Sequence, residues 1–158
     1  MIRRATIVAV GKPKGWAKDG ADEYAKRLRR YFIVEIVEIP ESDMNRLSPD
    51  EVLAQEAERI FKRLPDGAHV IALDRERGRQ YPSEELASRQ LVPLGASGKS
   101  HITFVLGGAL GLAPEILGHA DEAWSFGTLT LPHALARVVL LEQLYRAVKI
   151  HRGEKYHW

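Results

Sequence analysis

Apolar residues recur along this chain in two rhythms. Residues 7–10, 33–39, 68–73 and 102–106 are short runs rich in valine, isoleucine and leucine, the pattern of buried strands. Between them the spacing changes to three or four. Ala17, Ala21, Tyr24, Leu28, Tyr31 and Phe32 share one side of a helix expected over 16–32, while Lys26, Arg27, Arg29 and Arg30 fall largely on other faces. Val52, Leu53, Ala57, Ile60, Phe61 and Leu64 do the same in a second helix. Its start is strongly marked, because Ser48 can cap, Pro49 suits the first helical position and Glu51 stands three residues on. A third helix is expected from a Ser83 cap to about Val92, and another begins at Pro114. Residues 74–80 read as a charged loop and 95–100 as an exposed link. Glu35 and Glu38 interrupt the second run, which places that strand near a sheet edge where charges reach water.

Strand and helix patterns alternate over the whole length with short connections between them. The chain therefore reads as one α/β domain over 1–158, with a mostly parallel sheet flanked by helices. The last helix, expected over 133–150, departs from the one-sided pattern. Leu135, Val138, Val139, Leu140, Leu141, Leu144, Tyr145, Val148 and Ile150 wrap most of its circumference, with Arg137, Glu142, Gln143, Arg146 and Lys149 as interruptions. A helix apolar on nearly all sides is buried on more than one. Either the monomer covers it, or a second copy does, in an isologous homodimer through Val139, Leu140 and Leu144.

The sequence has 158 residues and no cysteine, which excludes disulfides, thiolate catalysis and cysteine-ligated metals and points to a reducing, cytoplasmic setting. None of the six histidines has metal-ligand spacing, so no metal is expected. No uncharged apolar stretch approaches the roughly 20 residues that span a bilayer, so no membrane association is expected either. The net charge is only +2, but it is unevenly spread. Basic residues cluster between Lys12 and Arg30 and between Arg137 and Lys155, around an acidic middle. Such ends suit a phosphate-facing surface, or simply solvated helix faces.

Open parallel sheets place ligands at the carboxyl ends of their strands. The 102–106 run ends at Gly107-Gly108-Ala-Leu-Gly111, and a short strand expected at 124–126 exits into Gly127–Leu131 and then Pro132-His133. Two such loops side by side make one pocket. The glycines do not form the dinucleotide fingerprint, and no Gly-Lys-Ser/Thr follows them. Loops of small, β-branched and apolar residues offer backbone amides beside apolar walls, which suits an adenine ring and an uncharged ribose. His133 opens a helix, where the dipole disfavours an imidazolium, so it is a neutral hydrogen-bonding histidine or a cap. In the tail, Tyr156 and His157 join a stacking surface to a titratable group beside Arg152 and Lys155, a combination suited to an RNA base.

Gly107-Gly108-Ala-Leu-Gly111-Leu112, Thr128-Leu-Thr-Leu-Pro-His133, Leu144-Tyr-Arg-Ala147 and Tyr156-His157 together resemble the pseudouridine-N3 methyltransferases of bacterial large-subunit (23S) ribosomal RNA. Val8-Ala-Val-Gly11, Glu23-Tyr24, Glu38-Ile-Pro40 and Leu73-Asp74 match in the same order, so the likeness covers essentially the full chain. The resemblance implies a SPOUT-type enzyme, a homodimer with a C-terminal trefoil knot that binds S-adenosylmethionine and acts on assembled ribosomes. It also implies a cofactor pocket of Leu73, Gly107, Gly108, Phe126, Gly127, Thr128, Leu129, Thr130 and Leu131. His133, Arg146, Tyr156 and His157 are then the catalytic group facing the RNA base, with the tail crossing to the partner's pocket. Two positions depart from the family pattern: Lys155 stands where a proline usually precedes the terminal Tyr-His, and Phe126 is bulkier than expected. A nucleotide-binding protein and a non-enzymatic ribosome-binding module are the alternatives that the residues alone leave open.

Overall fold

The computed structural model describes residues 1–158 and gathers the strands into one six-stranded sheet. The strands are β1 (Arg4–Val10), β2 (Ile33–Ile39), β3 (His69–Leu73), β4 (Arg79–Gln80), β5 (His101–Leu106) and β6 (Glu122–Ser125). They lie in the order β2-β1-β5-β3-β6-β4, and all five neighbouring pairs are parallel. Parallel neighbours need crossovers, here supplied by helices. These are α1 (Gly15–Leu28), α2 (Pro49–Phe61), α3 (Ser83–Glu85) running through a π-helical segment (Leu86–Leu91) into α4 (Val92–Ala96), α5 (Pro114–His119) and α6 (His133–His151).

The helices form a layer on each face. Alternation along β1 sends Ala5, Ile7 and Ala9 toward α1, α6 and the π-helical segment, and Val8 and Val10 toward α2 and α5. β5 is central and buried on both sides, with Ile102, Phe104 and Leu106 in one core and Val105 in the other. As expected from its glutamates, β2 is an edge strand. The α2 capping box forms: the Glu51 amide donates to Ser48 Oγ at 3.2 Å and the Ser48 amide to Glu51 Oε1 at 3.3 Å.

Four local expectations are corrected. Ser83 does not cap its helix; Pro82 stands at the cap and the Ser83 hydroxyl donates to Gln143 Oε1 at 2.6 Å. That helix runs past Val92 to Ala96 and widens to a π form just before Pro93, which has no N–H to offer residue 89. Gly95 belongs to α4 rather than to a link, and a Cβ there would lie 2.4 Å from the Met1 carbonyl oxygen. The charged loop after β3 contains β4, which pairs with β6.

α6 is mostly covered by its own chain. Leu140, Leu141 and Leu144 are buried against α1, the sheet and the π-helical segment. Leu140 and Leu144 are therefore core residues rather than interface leucines. Leu135, Val138 and Val139 stay half-buried. Arg137, expected as a surface interruption, is 3% exposed; it donates to Glu38 Oε2 at 2.9 Å and to the Gly11 carbonyl at 3.0 Å.

Candidate active site at the strand ends

A cavity of about 410 Å³ opens at the carboxyl ends of β3, β5 and β6. That volume is within the roughly 300–1,000 Å³ of small-molecule sites. Leu73, Gly107, Gly108, Phe126, Gly127, Leu129, Thr130 and Leu131 line it, and His133 stands at its edge. Among the residues assigned to the cofactor, only Thr128 is not in the lining; its carbonyl accepts from Arg75 Nη1 at 3.1 Å. The charged segment Asp74–Arg77 and Ser125 also line the cavity and were not anticipated. The strand-end rule applied to the loops after β5 and β6 reaches them as well, because Asp74–Arg77 continue directly from β3 and Ser125 ends β6.

The first glycine loop is held by its own backbone and the second by the Ser125 hydroxyl. The Gly111 amide donates to the Gly108 carbonyl at 3.1 Å, and a Cβ on Gly107 would lie 2.2 Å from the Gly111 oxygen. No side chain fits there. A Cβ on Gly108 points inward instead, 3.0 Å from Val10 Cγ1 and 3.5 Å from Glu56 Oε1, so its glycine serves loop packing and not ligand clearance. Glu56 itself is buried under this loop; its Oε2 accepts from the Ser42 amide at 3.0 Å and its Oε1 has no donor. In the second loop, Ser125 Oγ donates to the Arg75 carbonyl at 2.9 Å and accepts from the Gly127 amide at 3.1 Å, while Gly127 adopts φ +115°. Leucine and phenylalanine side chains form apolar walls with backbone polar groups between them, and Asp74–Arg77 give the cavity one charged side.

His133 borders the cavity from the first turn of α6. Its Nε2 is 3.3 Å from Glu41 Oε1, and Gly11 lies against the ring so closely that a Cβ there would be 2.9 Å from Nε2. Arg146, Tyr156 and His157 do not line the cavity. They form a second cluster near the other end of α6. Arg146 Nη2 donates to Glu142 Oε1 at 2.5 Å, the Tyr156 hydroxyl donates to the same oxygen at 3.1 Å, and the rings of Tyr145 and Tyr156 meet edge to face with centroids 4.9 Å apart. Burial, first, and then the Tyr24 and Glu142 contacts push the Tyr156 pKa well above the usual phenol value, so this hydroxyl stays protonated.

Residues 3–157 match the family model described as a predicted SPOUT methyltransferase. The chain belongs to the SPOUT methyltransferase family. Among its curated relatives is a protein of Rubrobacter xylanophilus named ribosomal RNA large subunit methyltransferase H, 67% identical over 158 residues and covering all of both chains. One of the same name from Acetivibrio thermocellus is 48% identical, with 98% of this chain and 99% of the relative covered. A solved structure of a probable methylase family protein from Haemophilus influenzae Rd KW20 has the same fold, with a TM-score of 0.59 at 16% identity, covering 100% of this chain and 72% of that one. As a SPOUT methyltransferase the chain is an enzyme of methyl transfer. No group of three or more His, Cys, Asp or Glu side chains is placed to hold a metal ion, and no helix is long and apolar enough to cross a membrane.

Proposed function

We propose that this SPOUT methyltransferase transfers the methyl group of S-adenosylmethionine to N3 of a pseudouridine in large-subunit ribosomal RNA, working as a homodimer on assembled ribosomes. The observation that carries the reading is the strand-end cavity, in which two glycine-bearing loops from β5 and β6 face each other in a chain whose full-length relatives are named as large-subunit ribosomal RNA methyltransferases. In this reading Leu73, Gly107, Gly108, Phe126, Gly127 and residues 129–131 hold the cofactor. The segment that carries these loops is threaded as the trefoil knot that the family implies. Bound there, S-adenosylmethionine supplies an electrophilic methyl group.

The chain's own residues must align the base and manage the N3 proton, since the imide is only weakly acidic. His133 is at the cavity edge, held toward Glu41. Arg146 offers a fixed cation for a phosphate or a developing imide anion. His133 and Arg146 are thirteen positions apart on α6, about 20 Å by helical rise, so Arg146, Tyr156 and His157 serve a pocket other than their own. A partner packed on the half-buried face of α6 brings that cluster to the first subunit's cavity.

The test is mass spectrometry of ribosomal RNA from cells with and without the protein, followed by methyl transfer to the purified ribosomes. Loss of one N3-methylpseudouridine, restored in vitro with S-adenosylmethionine, is the expected result. An unchanged RNA would remove the proposal.

A further inference from the structure

The loop that follows β1 is fixed from below and open above. The Gly11 amide donates to the Ile39 carbonyl at 2.8 Å, and the buried Arg137 holds the Gly11 carbonyl at 3.0 Å. Pro13 and Ala17 are buried. Between these anchors Lys12, Lys14 and Trp16 all face solvent, and Trp16 is 67% exposed. Neither Lys12 nor Lys14 has a carboxylate partner, whereas Lys18 one turn on is paired with Asp22 at 2.6 Å. An indole left in water forgoes the burial that otherwise stabilises such a side chain. Two unpaired ammonium groups beside it match a polyanion with π-faced bases.

The position of this loop gives the patch a role. Gly11 lies directly against His133, which borders the cavity, so Lys12 to Trp16 sits on the same end of the sheet as the methyl-transfer site. We infer that Lys12, Lys14 and Trp16 form a docking rim for single-stranded RNA beside the target base, with Trp16 stacking on an unpaired nucleotide and the two lysines meeting its phosphates. Stacking on an aromatic tolerates any base, and ammonium contacts read only the backbone, so the rim would supply affinity without sequence choice. The inference rests on the RNA-methyltransferase reading above.

The experiment uses the full-length protein and ribosomes purified from cells that lack it. Trp16→Ala should raise KM for ribosomes about tenfold, with kcat and S-adenosylhomocysteine affinity unchanged, and Trp16→Phe should recover most of the loss because it keeps a stacking face. The double variant Lys12→Ala/Lys14→Ala should lower the slope of log KM against log salt by about 1.4, the value for two single-strand phosphate contacts. Wild-type KM and salt slope in all three variants would overturn the rim while leaving the enzyme's activity established. Conversion of the Trp16→Ala protein to a monomer in light scattering would also overturn it, since a second copy would then cover the indole. A wild-type protein that methylates no ribosome would fail the functional reading itself, and the rim with it.

Discussion

Arg146 donates from Nη1 to Nδ1 of His157 at 3.1 Å. A guanidinium has no acceptor, so this contact fixes the imidazole tautomer: the ring proton is on Nε2, which donates to Glu84 Oε1 at 2.7 Å. Both nitrogens are thus engaged. Tyr156, one residue earlier, donates a hydrogen bond to Glu142 Oε1 at 3.1 Å and accepts one from the Tyr24 hydroxyl at 3.2 Å. In this state the tail is a positioned clamp around Arg146 rather than a free base. Lys155, in place of the family's usual proline, is exposed and leaves that clamp intact.

Deleting Tyr156 to Trp158 should therefore leave cofactor binding and dimerisation nearly unchanged and abolish methylation. His157→Ala alone should reduce turnover less, because Glu142 still holds Arg146. Methyl transfer to purified ribosomes at saturating cofactor decides it. A truncated enzyme with wild-type turnover would return proton handling to His133.

Gly107→Ala should lose S-adenosylmethionine binding, since the new methyl has backbone 2.2 Å away and the Gly108–Gly111 bridge would have to open. Gly108→Val should weaken binding less directly, by driving Val10 and the loop apart. Titration calorimetry on folded variants is the measurement, and undiminished affinity in Gly107→Ala would make the loop irrelevant to the ligand.

The central strands and the two glycine loops are largely legible in the amino-acid sequence, because β1, β3 and β5 are continuous apolar runs and the loops after β5 and β6 are marked by Gly107-Gly108 and Gly127. Residues 33–39 match β2, and Ser48-Pro49-Asp50-Glu51 marks the start of α2. What the sequence hides depends on contacts far apart along the chain. Arg137 looks like any polar break in α6 until Glu38 and Gly11 are placed beside it. β4 is two residues, Arg79 and Gln80, without an apolar pattern, and exists only because β6 offers it an edge. The separation of His133 from Arg146, Tyr156 and His157 follows from helix length, but family likeness groups them as one set.

Arg137→Met should destabilise the fold by about 2 kcal/mol, the scale of losing charge-assisted bonds at a buried site. The Glu38 end of the pair is partly solvated, which keeps the loss below that of a fully buried pair. Urea unfolding checks this. A change under about 0.5 kcal/mol, the scale of an ordinary surface substitution, would show that the Gly11 loop does not depend on the guanidinium.

His101 links stability to pH. Burial, chiefly, and the neighbouring Arg4 lower its pKa, and its Nε2 is 2.8 Å from Thr6 Oγ1. The folded state thus prefers the neutral ring, while the unfolded chain takes up a proton near the ordinary value of about 6.5. Stability from this site is present above that pH and falls as the pH drops through it toward the lowered folded value. Urea midpoints should decline between about pH 7.5 and 5.5, the window around that ordinary value, more in the wild type than in His101→Gln. Parallel declines would assign the effect to other groups.

The half-buried face of α6 allows the homodimer and the crossing of the tail to be tested together. Leu140→Glu would place a charge in the monomer's own core and unfold it, so it says nothing about association. Val139 is only half-buried, and Val139→Glu should give a folded monomer that does not methylate. Light scattering that shows a Val139→Glu dimer would move the interface off this face. Subunit mixing then asks whose tail serves whose pocket. A chain lacking Tyr156 to Trp158 keeps its cavity, and a Gly107→Ala chain keeps its tail, so each is inactive alone. If the tail acts across the interface, the mixed dimer has one complete site, made from the first chain's cavity and the second chain's tail. Random exchange of equal amounts makes half the dimers mixed, and activity should return to about a quarter of the wild-type value. If the tail serves its own cavity, no dimer in the mixture contains a complete site and the rate stays at zero.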